Sequence, residues 1–435
     1  MKIGLVAAKG NDLFNKPELD YFVDQSPWLK DEIKMSFTFP ELSLLIIAAL
    51  TDSHEADFYY MDENFDEVNY DQNFDLIVLT ALSSKASHAY RIAAEFRKRG
   101  VYTVMGGPHV SVLPDEAKSF VDTVIIGEAE NSWKEFFNDF KSGKPHPFYD
   151  GKKQMSDLKL SPVPRYDLLK NDNYRNIPIQ TTRGCPHDCE FCSNSVLFGK
   201  TYRSKAIEQV LEEIRAIKRN PVLRNKFLFF VDDNMFANKK YSKSLLKAII
   251  EEGLRLRWIT QTDISIAEDE ELLDLMFRAG CKVVLIGFES LSKSNLEKID
   301  VWKRKQVENY SVYTRKIQAH GISIRGSFII GLDDDTTNVF RETTSFIVEN
   351  QIHPQIVILT PIPGTRLYAR LKRENRLLPE PFWDQLSPYR VCFEPKLLSK
   401  KELADGFSWM IQELFREEVV QDRKKYYMSA LVKQL

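Results

Sequence analysis

Three of the chain's five cysteines lie within eight residues, at Cys185, Cys189 and Cys192. Thiolates are the usual protein ligands of iron–sulfur clusters. Three thiolates at this spacing can hold three irons of a [4Fe–4S] cluster and leave the fourth iron open to a substrate or cofactor. A structural zinc ion would need a fourth ligand, and such sites more often draw their ligands from two separated pairs. His187 lies inside the loop as a candidate fourth ligand, so zinc stays an alternative, but the spacing favours the cluster.

The segment from residue 181 to residue 192 reads Thr-Thr-Arg-Gly-Cys-Pro-His-Asp-Cys-Glu-Phe-Cys. Its C-x3-C-x2-C spacing, with the aromatic Phe191 directly before the last cysteine, resembles the motif of the radical S-adenosylmethionine (SAM) superfamily. The resemblance implies that the amino and carboxylate groups of SAM chelate the open iron. It also implies that one electron from the reduced cluster cleaves SAM, and that the resulting 5′-deoxyadenosyl radical abstracts hydrogen from an unactivated carbon.

Six strand–helix units form the part of the chain that carries this segment. The strands are predicted at residues 177–181, 226–231, 257–261, 282–287, 323–330 and 355–359. Six units predict a partial (β/α)6 barrel that is open on one side, rather than a closed eight-stranded barrel. The cysteine loop directly follows the first strand, and the C-terminal ends of barrel strands are where the chemistry of such folds is found.

Polar residues near the ends of these strands are candidates for binding SAM. Asp233 and Asn234 follow the second strand, where they could bind the ammonium and hydroxyl groups of SAM or cap the next helix. Glu289 would be costly to bury without a partner, so it meets either SAM or a structural ion-pair partner. The loop after the sixth strand is held extended by prolines, and an exposed carbonyl there could read an adenine edge. The expected SAM contacts are Phe191, Asp233, Asn234, Gln261, Glu289, Arg325 and Pro363.

The first 140 residues alternate strands and helices. Strands are predicted at residues 2–8, 57–61, 74–80, 102–105 and 123–126, with helices at residues 41–51 and 86–99. This alternation predicts a parallel, doubly wound α/β sheet, in which ligands bind beyond the carboxyl ends of the strands. The residues at those ends are Thr80, Ser83, Ser84, Gly106, Gly107, Pro108, His109, Gly127 and Glu128.

The whole chain resembles the cobalamin-binding radical SAM enzymes. The resemblance rests on the cysteine motif and on the runs Phe-Val-Asp-Asp-Asn-Met-Phe, Gly-Phe-Glu-Ser, Ile-Ile-Gly-Leu and Thr-Pro-Ile-Pro-Gly-Thr, together with Met-Gly-Gly-Pro-His-Val-Ser at residues 105–111. It implies a flavodoxin-like cobalamin-binding domain, to which the strand-end residues above would contribute, and three cofactors: a [4Fe–4S] cluster, SAM and cobalamin. The Asp-x-His-x-x-Gly signature is missing, so no histidine ligand to cobalt is expected. His109 is either a contact of the nucleotide tail or a plain loop residue.

These observations predict four segments. Residues 1–140 form the cobalamin-binding-like domain, residues 141–175 a linker, residues 176–375 the radical SAM barrel and residues 376–435 a small, mainly helical C-terminal cap. The cap is expected to contain one long helix at residues 399–427. Trp383, Tyr389 and Phe393 are candidate liners of an apolar substrate pocket, although packing in the core is the commoner fate of such residues.

Composition limits the partners. Sixty basic residues against 62 acidic ones give a net charge of -2, so nothing favours nucleic acid as a ligand. No apolar window is long enough for a membrane span. Few cysteines and no signal peptide indicate a reducing cytoplasm, where Cys281 and Cys392 are expected to be buried as small hydrophobic residues. The expected partners are a small-molecule or lipid-like substrate and an electron donor such as flavodoxin or ferredoxin.

The leading hypothesis is a cobalamin-dependent radical SAM methyltransferase that acts on an unactivated carbon. A second hypothesis keeps the cofactors but replaces methyl transfer by cyclisation, ring contraction or another oxidative rearrangement. A third is a redox or metal-sensing protein with a structural cluster, which the predicted SAM contacts disfavour. A fourth, methylthio transfer, would need cysteines for a second cluster, and no cysteine precedes Cys185.

Overall fold

The computed structural model of the chain describes residues 1–9, 38–153 and 155–432. The N-terminal domain contains one parallel sheet with the strand order β2-β1-β3-β4-β5-β6. Its strands are β1 Lys2–Ala7, β2 Asp57–Asp62, β3 Leu76–Thr80, β4 Tyr102–Gly106, β5 Thr123–Ile126 and β6 Phe148–Asp150. Its helices are α1 Leu42–Ala49, α2 Ala86–Lys98, α3 Pro108–Val112, α4 Pro114–Lys118 and α5 Ala129–Lys141. The strand order reverses between β1 and β3, which is the switch point of a flavodoxin-like sheet, and the predicted doubly wound fold is confirmed.

Both faces of this sheet are covered, so its central strands read as continuous apolar runs. On β3, Ile77 points into one hydrophobic core with Val6 and Phe96. Leu76 and Val78 point into the opposite core. Consecutive strand residues alternate between faces, so a single apolar strand serves both layers.

The segment predicted as a linker differs from that expectation in one respect. Residues 148–150 form β6, which pairs in parallel with β5 through Val124↔Phe148 and Ile126↔Asp150. A strand of three residues is too short to show an alternating pattern, so it could not be predicted from periodicity. The N-terminal sheet therefore extends into the predicted linker.

The second sheet is the partial barrel. Its strand order is β14-β13-β12-β11-β10-β7, and all neighbouring strands are parallel. The strands are β7 Asn176–Ile179, β10 Phe227–Phe230, β11 Trp258–Thr262, β12 Cys281–Glu289, β13 Ser323–Ile330 and β14 His353–Ile358, and a small antiparallel pair, β8 Thr182–Arg183 and β9 Arg203–Ser204, follows β7. The six predicted strands are present, each displaced by at most two residues at either end.

Helices connect and follow the strands of the barrel. They are α6 Asn194–Phe198, α7 Ile207–Arg219, α8 Lys239–Glu251, α9 Glu270–Arg278, α10 Lys293–Ile299, α11 Val301–Gln306, α12 Tyr310–Ala319, α13 Asn338–Glu349 and α14 Arg366–Arg373. On β11, Trp258 and Thr260 are fully buried towards the helices, whereas Ile259 and Gln261 are partly exposed towards the lumen. The lumen side of the strands is therefore free to line a binding site.

The C-terminal cap has two helices, α15 Lys400–Leu414 and α16 Glu417–Val432, where the sequence predicted one. A capping box between Ser399 and Glu402 starts α15. The chain leaves the helical conformation at Phe415, where φ is -108° and ψ is 11°. No glycine or proline marks this break, so periodicity alone joined the two helices. In the described part of the chain, no helix combines the length and apolarity that a membrane crossing requires.

Candidate cofactor site

The cysteine loop lies at the C-terminal end of the first barrel strand. Cys185, Cys189 and Cys192 all line one cavity of about 490 Å³ at the barrel mouth, and all three are free thiols. A [4Fe–4S] cluster takes one thiolate at each of three irons. Three free thiols on one cavity fit this requirement.

Two neighbouring carboxylates hold the loop at both ends. Asp232 accepts hydrogen bonds from Thr181 N (2.7 Å), Thr181 Oγ1 (2.7 Å) and Thr182 N (2.6 Å). Asp233 accepts one from Gly184 N (2.7 Å) and one from the Asn194 amide (2.6 Å). The bonds of Asp233 thus join the residue before Cys185 to a residue just after Cys192.

These contacts change the interpretation of Asp233. The next helix, α8, is capped by Asn238 rather than by Asp233 or Asn234, so the capping alternative does not apply. Both oxygens of Asp233 are already engaged by the loop, although the residue also lines the cavity. Its assignment as a SAM contact stays a prediction, and the geometry adds a structural role.

A buried lysine faces the thiols. Burial raises the pKa of the Cys185 thiol to about 11 and that of the Cys189 thiol to about 12. The positive charge of Lys303 partly offsets this effect, because it lowers the pKa of both thiols. The Lys303 ammonium donates to Glu289 Oε1 at 2.7 Å and to the Gly287 carbonyl at 2.9 Å. The ion pair considered for Glu289 is therefore present, and both partners line the cavity. Lys303 lies in a run of charged residues on α11, so its sequence gave no signal of this position.

Most of the expected SAM contacts share this cavity. Six of the seven line it: Phe191, Asp233, Asn234, Gln261, Glu289 and Pro363. Arg325 is not among the lining residues. It lies on the same face of β13 as Ser327 and Ile329, which do line the cavity, but one step deeper, beside His353 of β14. The side-chain period of two places Arg325 on the lumen face, but the sequence does not give its depth along the strand. Its assignment as a SAM contact stays a prediction.

His187 has a role that the sequence did not reveal. Its Nδ1 lies 3.2 Å from Asp300 and its Nε2 lies 3.6 Å from Asp263. Its ring packs against Trp302 with the ring centroids 4.7 Å apart. These contacts fasten the tip of the cysteine loop to the segments that follow β11 and α10. His187 therefore positions the loop, and the zinc alternative loses its candidate fourth ligand.

A second cavity, of about 750 Å³, lies between the N-terminal sheet and the barrel. Seven of the nine residues expected at the cobalamin site line it: Thr80, Ser84, Gly106, Gly107, Pro108, Gly127 and Glu128. Gly107 has φ of 98°, and a Cβ there would lie 2.4 Å from Thr80 Oγ1. The backbone at the strand ends is therefore kept close to the cavity by a position that only glycine fills. A wide interdomain cavity at these strand ends fits a corrinoid.

His109 and Ser83 are placed differently from expectation. His109 is fully buried and lines neither cavity. Its ring nitrogens lie 3.0 Å from Ser83 Oγ and 3.1 Å from Glu116 Oε1, and the ring packs edge-on against Trp383. Ser83 lines the cluster cavity instead of the interdomain one. The short helix α3 starts at Pro108 and turns the His109 side chain inward, which a loop interpretation could not anticipate.

Ion pairs join residues at the interdomain cavity to the base of the cysteine loop. Glu128 bonds Arg203 at 2.6 Å and lies 3.2 Å from Arg183, which also bonds Glu130 at 2.8 Å. Burial alone would raise the pKa of Glu128, but Arg203 and Arg183 hold it at about 2. Arg183 precedes the cysteine loop by one residue, so the base of the loop is tied to the N-terminal domain.

The two cavities adjoin. Their common wall consists of Leu82, Ser84, Pro108, Leu197, Gln355, Val357, Leu386, Ser387 and Pro388. Of the three aromatic cap residues considered as liners, Tyr389 lines the interdomain cavity, whereas Trp383 and Phe393 are buried in packing. A partial barrel with a three-cysteine loop, joined through this wall to a flavodoxin-like domain, defines a radical SAM enzyme with a second cofactor domain.

Comparison with known proteins agrees with this class. Residues 179–347 match the radical SAM superfamily, residues 33–137 match the B12 binding domain and residues 365–434 match a domain of unknown function, DUF4070. The chain is 30% identical to bacteriochlorophyllide d C-12(1)-methyltransferase of Chlorobaculum tepidum over 88% of this chain and 84% of that protein. It is 28% identical to the hopanoid C-2 methylase of Rhodopseudomonas palustris over 80% of this chain and 67% of that protein.

The fold agrees as well. The methyltransferase TsrM from Kitasatospora setae, solved with cobalamin and a [4Fe–4S] cluster bound, superposes with a TM-score of 0.68 at 16% identity over 96% of this chain and 86% of that one. The chain belongs to the cobalamin-binding radical SAM family. It is an enzyme that uses a [4Fe–4S] cluster, SAM and cobalamin.

Proposed function

We propose that the chain transfers a methyl group to an unactivated sp³ carbon of a large, apolar, polycyclic substrate. The observation that carries the proposal is the common wall of the two cavities. Hydrogen abstraction and methyl delivery act on one carbon, so that carbon has to lie within reach of both cofactor sites. Six of the nine wall residues are apolar: Leu82, Pro108, Leu197, Val357, Leu386 and Pro388. Such a wall suits an apolar ligand with few polar anchors.

Different residues of the chain would bind different cofactors. The three cysteines would hold the cluster, and Asn234, Gln261 and Glu289 present polar groups to SAM. When bound, the cofactors supply radical chemistry and a transferable methyl group, which the protein itself cannot provide. The chain contributes position, because the barrel, the N-terminal domain and the cap all supply residues to the lining of the cavities.

The names of the relatives support the substrate class. Bacteriochlorophyllide d and hopanoids are both large ring systems, and the two methylases with those names cover at least four fifths of this chain. We further propose that a reduced flavodoxin or ferredoxin supplies the electron, within a reducing cytoplasm that keeps the thiols available for the cluster.

The test uses anaerobically purified enzyme reconstituted with iron, sulfide and cobalamin. The enzyme is incubated with SAM carrying a deuterated methyl group, a reductant and bacteriochlorophyllide d or a desmethyl hopanoid. A product carrying one labelled methyl group is expected, and Cys189→Ala should abolish it. An unlabelled product that is two hydrogens lighter, with 5′-deoxyadenosine formed in equal amount, would instead indicate cyclisation.

A further inference from the structure

A short stretch of the cap, residues 383–388, connects the barrel to the N-terminal domain, and we refer to it as the bridge segment. At its start, the Trp383 indole donates to both oxygens of Glu116 at 3.1 Å. At its end, the Pro388 carbonyl accepts from Ile358 N at 2.6 Å. The segment is thus fixed to the N-terminal domain at one end and to β14 at the other.

Between these anchors, the bridge segment faces the cofactor cavities. Leu386, Ser387 and Pro388 line both of them, and Leu386 and Ser387 are buried. The segment therefore supplies a third of the common wall, although it lies outside both the sheet that holds the SAM contacts and the sheet that holds the corrinoid contacts. It falls in the region that matches the domain of unknown function.

Another residue of the common wall carries a polar atom that has no partner among the described residues. Gln355 sits on the lumen face of β14 and lines both cavities. Its Oε1 is buried and accepts no hydrogen bond from any of the residues that the structure describes. A buried acceptor without a donor costs free energy, so such an atom at a binding site indicates a ligand group that donates to it.

Gln355 differs from the expected SAM contacts in lining both cavities. Asn234, Gln261 and Glu289 lie on or after the strands β10, β11 and β12, and they line the cluster cavity alone. Pro363 follows β14, the strand of Gln355, but it too lines only the cluster cavity. The donor that satisfies Gln355 is therefore best supplied by a molecule that contacts both cavities.

We propose that Gln355 and the bridge segment select the substrate. In this proposal, which rests on the proposed function, Gln355 accepts a hydrogen bond from a hydroxyl or N–H group close to the methylated carbon. Leu386 and Pro388 pack against the apolar ring body. The substrate class is thereby narrowed to apolar ring systems that carry a hydrogen-bond donor near the reacting position, and the C-terminal domain gains a substrate-binding role.

The experiment compares Gln355→Met with the wild-type enzyme and with the matched control Gln412→Met. Gln412 lies on α15, is exposed and lines neither cavity. Bacteriochlorophyllide d, which carries a hydroxyl group as a hydrogen-bond donor, is the probe, and its binding to each holoenzyme is followed by fluorescence titration. SAM binding, corrinoid content and the thermal midpoint are measured on the same preparations.

Gln355→Met is expected to weaken probe binding roughly three- to tenfold, with unchanged SAM affinity and corrinoid content. Gln412→Met should match the wild type in every measurement. Leu386→Trp, which places a larger side chain on the common wall, should abolish probe binding while both cofactors are retained. Weaker SAM binding in Gln355→Met would overturn the proposal by assigning Gln355 to SAM. So would unchanged probe binding in both wall variants, or no binding by the wild type.

The proposed function can fail separately. One possible result is that probe binding follows the expected pattern while the labelled methyl group never reaches the product. That result would support the substrate-binding role of the common wall and contradict the proposed methyl transfer.

Discussion

Replacing Asp233 with alanine tests whether this carboxylate supports the cysteine loop. The substitution leaves Gly184 N and the Asn194 amide without their acceptor, at 2.7 and 2.6 Å in the intact protein. Each buried donor left unpaired costs about 1–3 kcal/mol, so the two donors together cost about 2–6 kcal/mol. Burial raises the pKa of Asp233, so removing a desolvated charge returns part of that cost. We expect a net loss of roughly 2–3 kcal/mol in the free energy of unfolding.

The assay is urea denaturation of the cluster-free protein, followed by iron and sulfide analysis after reconstitution. Asp233→Ala should unfold at a lower urea concentration and should retain less than a full cluster. Asp274→Ala is the matched control, because Asp274 is an exposed carboxylate that pairs with Arg278 within α9. Such a surface pair contributes at most about 1 kcal/mol, so the control should keep its cluster.

A different outcome would refute this reasoning. If Asp233→Ala unfolds like the wild type and holds a full cluster, but binds SAM more weakly, then Asp233 is a SAM ligand and does not support the loop. Measurement of SAM affinity on the reconstituted variant separates the two roles, because loss of loop support lowers cluster content before it affects affinity per cluster.

Three further outcomes are expected. Lys303→Met should lower the free energy of unfolding by about 3–5 kcal/mol, because it leaves the carboxylate of Glu289 buried without its partner; the double variant with Glu289→Gln should recover part of that loss in urea denaturation. Gly107→Ala should reduce corrinoid retention and stability more than Gly100→Ala, because both glycines have positive φ but only at Gly107 would the new methyl group meet other atoms; absorbance of bound corrinoid measures the difference, and equal losses would contradict it. Burial, with two nearby arginines, lowers the pKa of His353 from 6.5 to about 3, so the unfolded state takes up a proton first as the pH falls. Stability should therefore decrease by up to roughly 2 kcal/mol between about pH 7 and about pH 5, and His353→Phe should flatten this dependence.

The fold was largely accessible from the sequence, because long apolar strands and helical periodicity report burial directly. Very short elements, and elements defined only by contacts with residues distant in the sequence, could not be predicted. The strand Phe148–Asp150 is too short to show a pattern, and its identity depends on pairing with Thr123–Ile126. The break after Leu414 has no glycine or proline to mark it.

The candidate site also contains residues that local sequence could predict and residues that it could not. The cysteine spacing predicted the loop because the three ligands are neighbours in sequence. Lys303 and Gln355 come from elements remote in the chain, and each resembles an ordinary charged or polar residue in its local context. The local sequence of His109, after two glycines at a strand end, allows either a contact of the nucleotide tail or a plain loop residue. In the structure, α3 buries its ring against Trp383. Local sequence gives residue type and strand end, but it does not give the direction of a side chain.

The charges between the two domains explain how an apolar common wall can be specific. Apolar packing alone tolerates sliding, because the hydrophobic effect has no direction. Arg183 contacts both Glu128 and Glu130, and it lies one residue before the cysteine loop. Arg203 adds a bond to Glu128 and another to the Ser156 carbonyl. Displacement of one domain would leave buried charges unpaired, at a cost of several kcal/mol. The ion pairs therefore fix the register between the cysteine loop and the interdomain cavity. Under the proposed function, this register determines whether one substrate carbon can be reached from both.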